Sequence, residues 1–140
     1  MFVIIMGCGR VGARLALMMT HANHEVTIMD IKSSAFSRLG PDFKGSTILG
    51  NGIDQEVLRR AGIERADAFV AATQGDNRNI MASQIAKHVF GVKRVVTRVY
   101  DPLRSDTFAA LGLQAISPTI IGANSFYEEL TGESAPKLPV

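Results

Sequence analysis

The chain has 140 residues, 46% of them hydrophobic and 20% charged, with a net charge of +2. That length suits one domain with a substantial core, and the composition is that of an ordinary soluble protein. No run of Lys or Arg exceeds two residues, so a nucleic-acid footprint is not indicated. The single cysteine, Cys8, excludes an internal disulfide framework and a multi-cysteine zinc site. It suits a reducing, cytoplasmic compartment. The N-terminal apolar run is too short for a membrane span and lacks a basic segment before it, so neither a signal peptide nor direct membrane insertion is expected.

Residues 2–6, Phe-Val-Ile-Ile-Met, form an apolar run of strand length. Gly7-Cys8-Gly9-Arg10-Val11-Gly12 follows at once, and a helix is expected over 10–21. A second strand is expected over 25–30; it ends in Asp30, 18 residues after Gly12. A helix near 33–39 is closed by Gly40-Pro41 and leads to a strand at 46–49. Further helices are expected at 54–61, 76–90, 102–111 and 118–130, and further strands at 67–72, 94–99 and 113–117. Gly62 marks the end of the third helix, while Asp101-Pro102 and Ser117-Pro118 start the fifth and sixth. In the fourth, Ala82, Ile85, Ala86 and Val89 make one apolar face. The segment 132–140 carries two prolines and is expected to be a tail or linker after a single domain, 1–131.

Such alternation predicts a parallel sheet covered on both faces. The glycine triplet placed as strand–turn–helix–strand–Asp sharpens this to a nucleotide-binding fold. The expectation is a Rossmann-like, doubly wound α/β domain with six parallel strands in the order 3-2-1-4-5-6. Gly7 permits the tight turn off the first strand, Gly9 lets backbone approach a phosphate, and Gly12 lets the first helix pack on the sheet. The helix N-terminus offers unpaired N–H groups to that phosphate. Asp30 is placed to accept hydrogen bonds from ribose hydroxyls, and its charge disfavours a 2′-phosphate and hence NADP.

Beyond residue 45 the motifs become more specific. Gly50-Asn51-Gly52, Ala61-Gly62-Ile63, Ala66-Asp67-Ala68 and the run from Ala72-Thr73-Gln74-Gly75 to Asn79 occur in order, followed by Arg98, Asp101-Pro102 and Leu111-Gly112. This series resembles the KTN or RCK N-lobe, also called TrkA-N, the nucleotide-sensing domain of potassium channels and transporters. The resemblance covers residues 2 to about 130. It implies a homodimer or ring of nucleotide-binding lobes, peripheral to the membrane on its cytoplasmic side, acting on a potassium transporter or channel subunit. It also implies that Arg10 reaches the phosphates and that Asn51 stands at the adenine edge. Family members commonly carry an aspartate at that position; Asn51 still offers a donor and an acceptor. A C-lobe often follows in the family and none does here, so the chain is expected to be a stand-alone lobe or a piece of a longer protein.

The remaining candidates flank the same crevice. Ile31 and Lys32 follow Asp30 and border the base or ribose, although Lys32 equally suits a plain surface lysine. Ala72, Thr73 and Gln74 follow the fourth strand at the point where strand order reverses. Thr73 suits either ligand binding or helix capping, and capping is the safer role for Asp76. Arg98 ends an otherwise uncharged strand; it either faces the crevice or pairs with Asp101 or Asp106. Cys8 is expected to fill its slot by packing. The candidate binding set is thus Gly7, Cys8, Gly9, Arg10, Val11, Gly12, Asp30, Ile31, Lys32, Asn51, Gly52, Ala72, Thr73, Gln74 and Arg98. No catalytic or metal-binding residues are expected.

The expected ligand is NAD(H) or AMP, ADP or ATP, held as a regulator and not turned over. The alternative is the coenzyme-binding domain of an NAD-dependent oxidoreductase, but no His–acid or Lys–acid pair can be placed near the crevice. The sixth helix, with Ile120, Ile121, Phe126 and Leu130, carries more apolar surface than one sheet face readily covers, which points to self-association.

Overall fold

The computed structural model describes residues 1–139; Val140, the last residue of the expected tail, lies outside the described residues. Six parallel strands make one sheet: β1 (Phe2–Met6), β2 (Glu25–Asp30), β3 (Ser46–Leu49), β4 (Ala68–Ala71), β5 (Arg94–Arg98) and β6 (Gln114–Ile116). Their order is β3-β2-β1-β4-β5-β6, as the sequence predicts. The central β1 is buried at every position. Both of its faces are covered, so its apolar residues run continuously instead of alternating. Ile4 and Phe69 open the core on one face, where α2 (Gln55–Arg60) and α3 (Asp76–Gln84) supply Val57, Leu58 and Ala82. Ile5 and Ile28 pack on the other face against Ala13 and Ala16 of α1 (Arg10–His21), with Ala35 and Leu39 beside them.

This winding decides where a ligand can sit. β1 pairs with β2 on one side and β4 on the other, and the two connections leave in opposite directions. A crevice therefore opens beyond the carboxyl ends of β1 and β4.

Three helical details differ from the sequence reading. Residues Ser33–Leu39 form a 3₁₀ helix. Seven residues, beginning with two serines and stopped by Gly40-Pro41, make two tight turns only. The expected fifth helix divides into a 3₁₀ turn (Pro102–Arg104) and α4 (Ser105–Ala110). The expected fourth helix passes from α3 into a π turn, Ile85–Val89, in which the Phe90 N–H donates to the Ile85 carbonyl at 3.2 Å. The wider turn rotates Val89 off the apolar face, leaving it 54% exposed. Ser83, earlier in α3, is buried, and its hydroxyl accepts from the Thr97 hydroxyl at 2.7 Å.

The last helix, α5 (Pro118–Thr131), buries none of its residues. Phe126 is 74% and Leu130 84% exposed, so the sheet leaves its apolar side chains uncovered. Among the described residues no helix is long and apolar enough to cross a membrane.

Candidate functional site

The loop after β1 is built by steric exclusion. Gly7 has φ +107°, and a Cβ there would lie 2.9 Å from the Ala72 carbonyl at the end of β4. Its N–H donates to the Met29 carbonyl at 2.8 Å, so the turn is tied to both neighbouring strands. Gly12 lies beneath this turn, where a Cβ would run into the Gly7 carbonyl. Gly9 is different: nothing lies within 4 Å of where its Cβ would be. It is also the N-cap of α1 and supplies no side-chain cap. The first N–H groups of α1 therefore face an open cradle that fits an anion.

Asp30 closes this loop from the neighbouring strand. Its Oδ2 accepts from the Cys8 N–H at 2.8 Å, and its Oδ1 from the Lys32 N–H at 2.9 Å. Each carboxylate oxygen keeps a further lone pair for another donor. The sequence reading assigned Asp30 to the ribose alone; the structure adds a bracing role. Cys8 lines the cleft by its backbone, while its thiol is buried and lies 3.4 Å from the Ala35 carbonyl. Burial raises the thiol pKa, and the nearby Asp30 charge raises it further, against a smaller opposing effect of Arg38. The thiolate is therefore scarce at neutral pH. Cys8 should resist iodoacetamide in the folded protein and label fully in urea. Labelling of folded protein at the rate of a free thiol would show that the packing is open.

The other wall hangs on Asn79, which is fully buried in α3. Its Oδ1 accepts from the Thr73 hydroxyl at 2.6 Å and the Thr73 N–H at 3.1 Å. Its Nδ2 donates to the carbonyls of Thr73 at 2.9 Å and Arg98 at 3.1 Å. One amide thus joins the carboxyl ends of β4 and β5. The sequence reading set Asp76 down as a cap for its own helix, and the structure corrects this. The carboxylate of Asp76 accepts instead from the N–H groups of Tyr100 (2.6 Å) and Asp101 (3.0 Å), because α3 packs its first turn against the end of β5. The ion pair considered for Arg98 does not form. Asp101 caps its own 3₁₀ turn by accepting from Leu103, and both it and Asp76 lie 4.0 Å from Arg104.

These parts enclose a cleft of about 600 Å³. It is lined by every residue of the candidate set except Gly12, which stays under the loop. The structure brings Ile31, Lys32, Asn51 and Gly52 to the end near Asp30, and Ala72, Thr73, Gln74 and Arg98 to the far wall. Gly52 is buried against Met6, whose sulfur a Cβ would strike. The Asn51 side-chain Oδ1 accepts from the Ile53 N–H at 3.2 Å, which leaves its Nδ2 as a donor at the cleft. Arg38 and Arg78 also line the cleft and were missed from sequence. Arg78 carried a readable cue: a cation in the first turn of a helix is disfavoured by the dipole, as at Arg10. Arg38 reaches the Cys8 carbonyl at 3.4 Å from a segment distant in sequence, and nothing local marks it. Five cations and one carboxylate therefore face the cleft.

The TrkA-N domain model matches residues 3–118. The chain belongs to the TrkA-N family. Among curated relatives of this TrkA-N domain, the Trk system potassium uptake protein TrkA of Streptomyces coelicolor is 41% identical over 138 residues. That match covers 99% of the chain and 62% of the relative. Among solved structures, a Kef CTD of Shewanella denitrificans in its AMP-bound form has a TM-score of 0.81 at 21% identity, covering 94% of the chain and 80% of that structure. The GsuK channel bound to NAD has a TM-score of 0.79 at 25% identity, covering 92% of the chain and 23% of the channel. The TrkA-N chain thus spans less than two thirds of the length of the TrkA proteins it matches.

Proposed function

We propose that this chain is a regulatory lobe. It binds an adenine nucleotide, NAD(H) or AMP, ADP or ATP, without turning it over, and by changing how lobes sit against each other it controls a membrane potassium transporter or channel. The observation that carries this reading is the open cradle at Gly9, with the uncapped end of α1 above it and Asp30 beside it. Such a site suits a phosphate and a ribose held together. The candidate set from Gly7 to Arg98 is the proposed contact surface, with Arg10 on phosphate and Asn51 on adenine. Support for the ligand class comes from the Kef and GsuK structures, seen with AMP and NAD; support for potassium comes from the TrkA relatives. The lining holds one carboxylate and no histidine, which favours a sensor over a catalyst.

Control by such a lobe requires different nucleotide affinities in two arrangements, read by a partner at the cytoplasmic face. The uncovered α5 supports assembly as a homodimer or ring.

Calorimetry with AMP, ADP, ATP, NAD⁺ and NADH tests the reading directly. Binding of at least one, with the nucleotide recovered unchanged, is the expected result. At a hundredfold excess over Kd, binding should raise the melting midpoint by roughly 8–10 °C. No binding by any of the five overturns the proposal, and a strictly monomeric species by light scattering overturns the oligomeric part.

A further inference from the structure

The far wall of the cleft has a second side. Gln74 and Arg78 line the cleft and also a separate hollow of about 350 Å³, which Tyr100, Asp101 and Arg104 bound from the other side. The loop after β4 and the first turn of α3 thus stand between the cleft and the segment Tyr100–Arg104.

Both sides are fastened to that one turn by buried side chains. Asn79, fully buried, holds the N–H, hydroxyl and carbonyl of Thr73 on the cleft side. Asp76, three residues earlier and 8% exposed, holds the N–H groups of Tyr100 and Asp101 at 2.6 and 3.0 Å. Nearer the surface, Arg104 donates to the Asn77 Oδ1 at 3.0 Å and stands 4.0 Å from the carboxylates of both Asp76 and Asp101. Residues three apart share a helix face, so a tilt of this turn moves both sets of bonds together.

Little else holds the segment. Val99 before it and Phe108 after it are fully buried, but none of Tyr100–Arg104 is buried, and Leu103 is 73% exposed. A stretch fixed by polar contacts, without buried apolar ones of its own, opens locally at low cost.

Resting on the adenine-nucleotide reading above, we propose that Tyr100–Arg104 is a strap latched by Asp76, and that its latching is linked to occupancy of the cleft. A ligand seated against Thr73 fixes the wall where Asp76 meets both strap N–H groups. An open strap frees the turn to shift and weakens binding by the same factor, since linkage is reciprocal. The strap leads directly into α4, so occupancy of the cleft is felt at the start of that helix.

The test is amide hydrogen exchange by NMR on the 140-residue chain, read at Tyr100 and Asp101. Ala66 is the reference: its N–H donates to the Ile63 carbonyl at 3.2 Å in the turn before β4, at the opposite end of the sheet. AMP, ADP, ATP, NAD⁺ and NADH are the probes, each brought to saturation by calorimetry. At least one should slow Tyr100 and Asp101 about fivefold or more while leaving Ala66 within about twofold. In Asp76→Ala both strap amides should exchange fast with or without nucleotide. That variant should bind more weakly by about the factor by which the nucleotide slows exchange in the parent. Arg104→Gln serves if Asp76→Ala does not fold. It takes the cation from between two carboxylates, so strap exchange without nucleotide should speed up several-fold, while the nucleotide still slows it. Nucleotide binding that leaves the strap amides unchanged overturns the link, as does slowing of Ala66 by the same factor; both leave the adenine reading standing. Unchanged exchange in Arg104→Gln overturns its part in the latch. Failure of the parent to bind any of the five overturns both the link and the adenine reading.

Discussion

Asn79→Leu should destabilise the protein by about 3–4 kcal/mol, since three backbone groups lose their partners at roughly 1 kcal/mol or more each. These are the Thr73 N–H, the Thr73 carbonyl and the Arg98 carbonyl. Leucine shares the branching of asparagine but is larger, so the substitution leaves no cavity, and some overpacking strain in this fully buried site adds to the loss of hydrogen bonds. For a domain of this size, roughly a 10 °C fall in melting midpoint accompanies it. Urea unfolding followed by circular dichroism gives the measurement. A change under about 1 kcal/mol would mean that water replaces the amide and that the two strand ends do not depend on it. Asn79→Asp separates the contributions: it keeps acceptors for the Thr73 N–H and hydroxyl but aims a negative charge at two carbonyls. It should therefore be no less damaging than the leucine at neutral pH.

Asp30→Ala has the second large effect, and it acts on binding. The carboxylate is placed to accept ribose hydroxyls at roughly 1.5–3 kcal/mol per charge-assisted bond. Two such bonds amount to about a hundredfold loss of affinity or more. The same substitution frees the N–H groups of Cys8 and Lys32, so part of the loss arises from a loosened phosphate loop. The two causes separate with inorganic phosphate, which has no ribose. If loop bracing matters, weak phosphate binding also falls; if only the ribose contact matters, phosphate binding is unchanged. Calorimetry well below the variant's melting midpoint gives the comparison. An AMP affinity within about twofold of the parent would place the ribose away from Asp30.

The central strands were readable because they are short apolar runs bounded by turn residues, and strands covered on both faces of a parallel sheet need such runs. The strand order was readable because a glycine loop followed by a distant aspartate accompanies one winding. Helix type was less accessible. Nothing in Ile85–Val89 marks a π turn, whose extra residue per turn is decided by how α3 seats on the sheet, and Val89 was misplaced in consequence. The role of Asp76 was hidden for a similar reason. Its acceptors serve Tyr100 and Asp101, 24 and 25 residues away, whereas a local pattern reports only contacts within a turn or two.

What the sequence determined by itself was the chemistry of the loop: which residues lack a side chain, which carries a carboxylate, and how far apart they lie. Glycine positions and an 18-residue interval are properties of the chain, and their steric consequences are local. Only the tertiary structure decided what the charges do. Arg104 lies against Asp76 and Asp101, leaving Arg98 without an acid, and Arg38 and Arg78 arrive at the cleft from separate segments. Pairing between charges depends on distance in space over a few ångströms, and that distance is set by how α3 and the turn after β5 pack together.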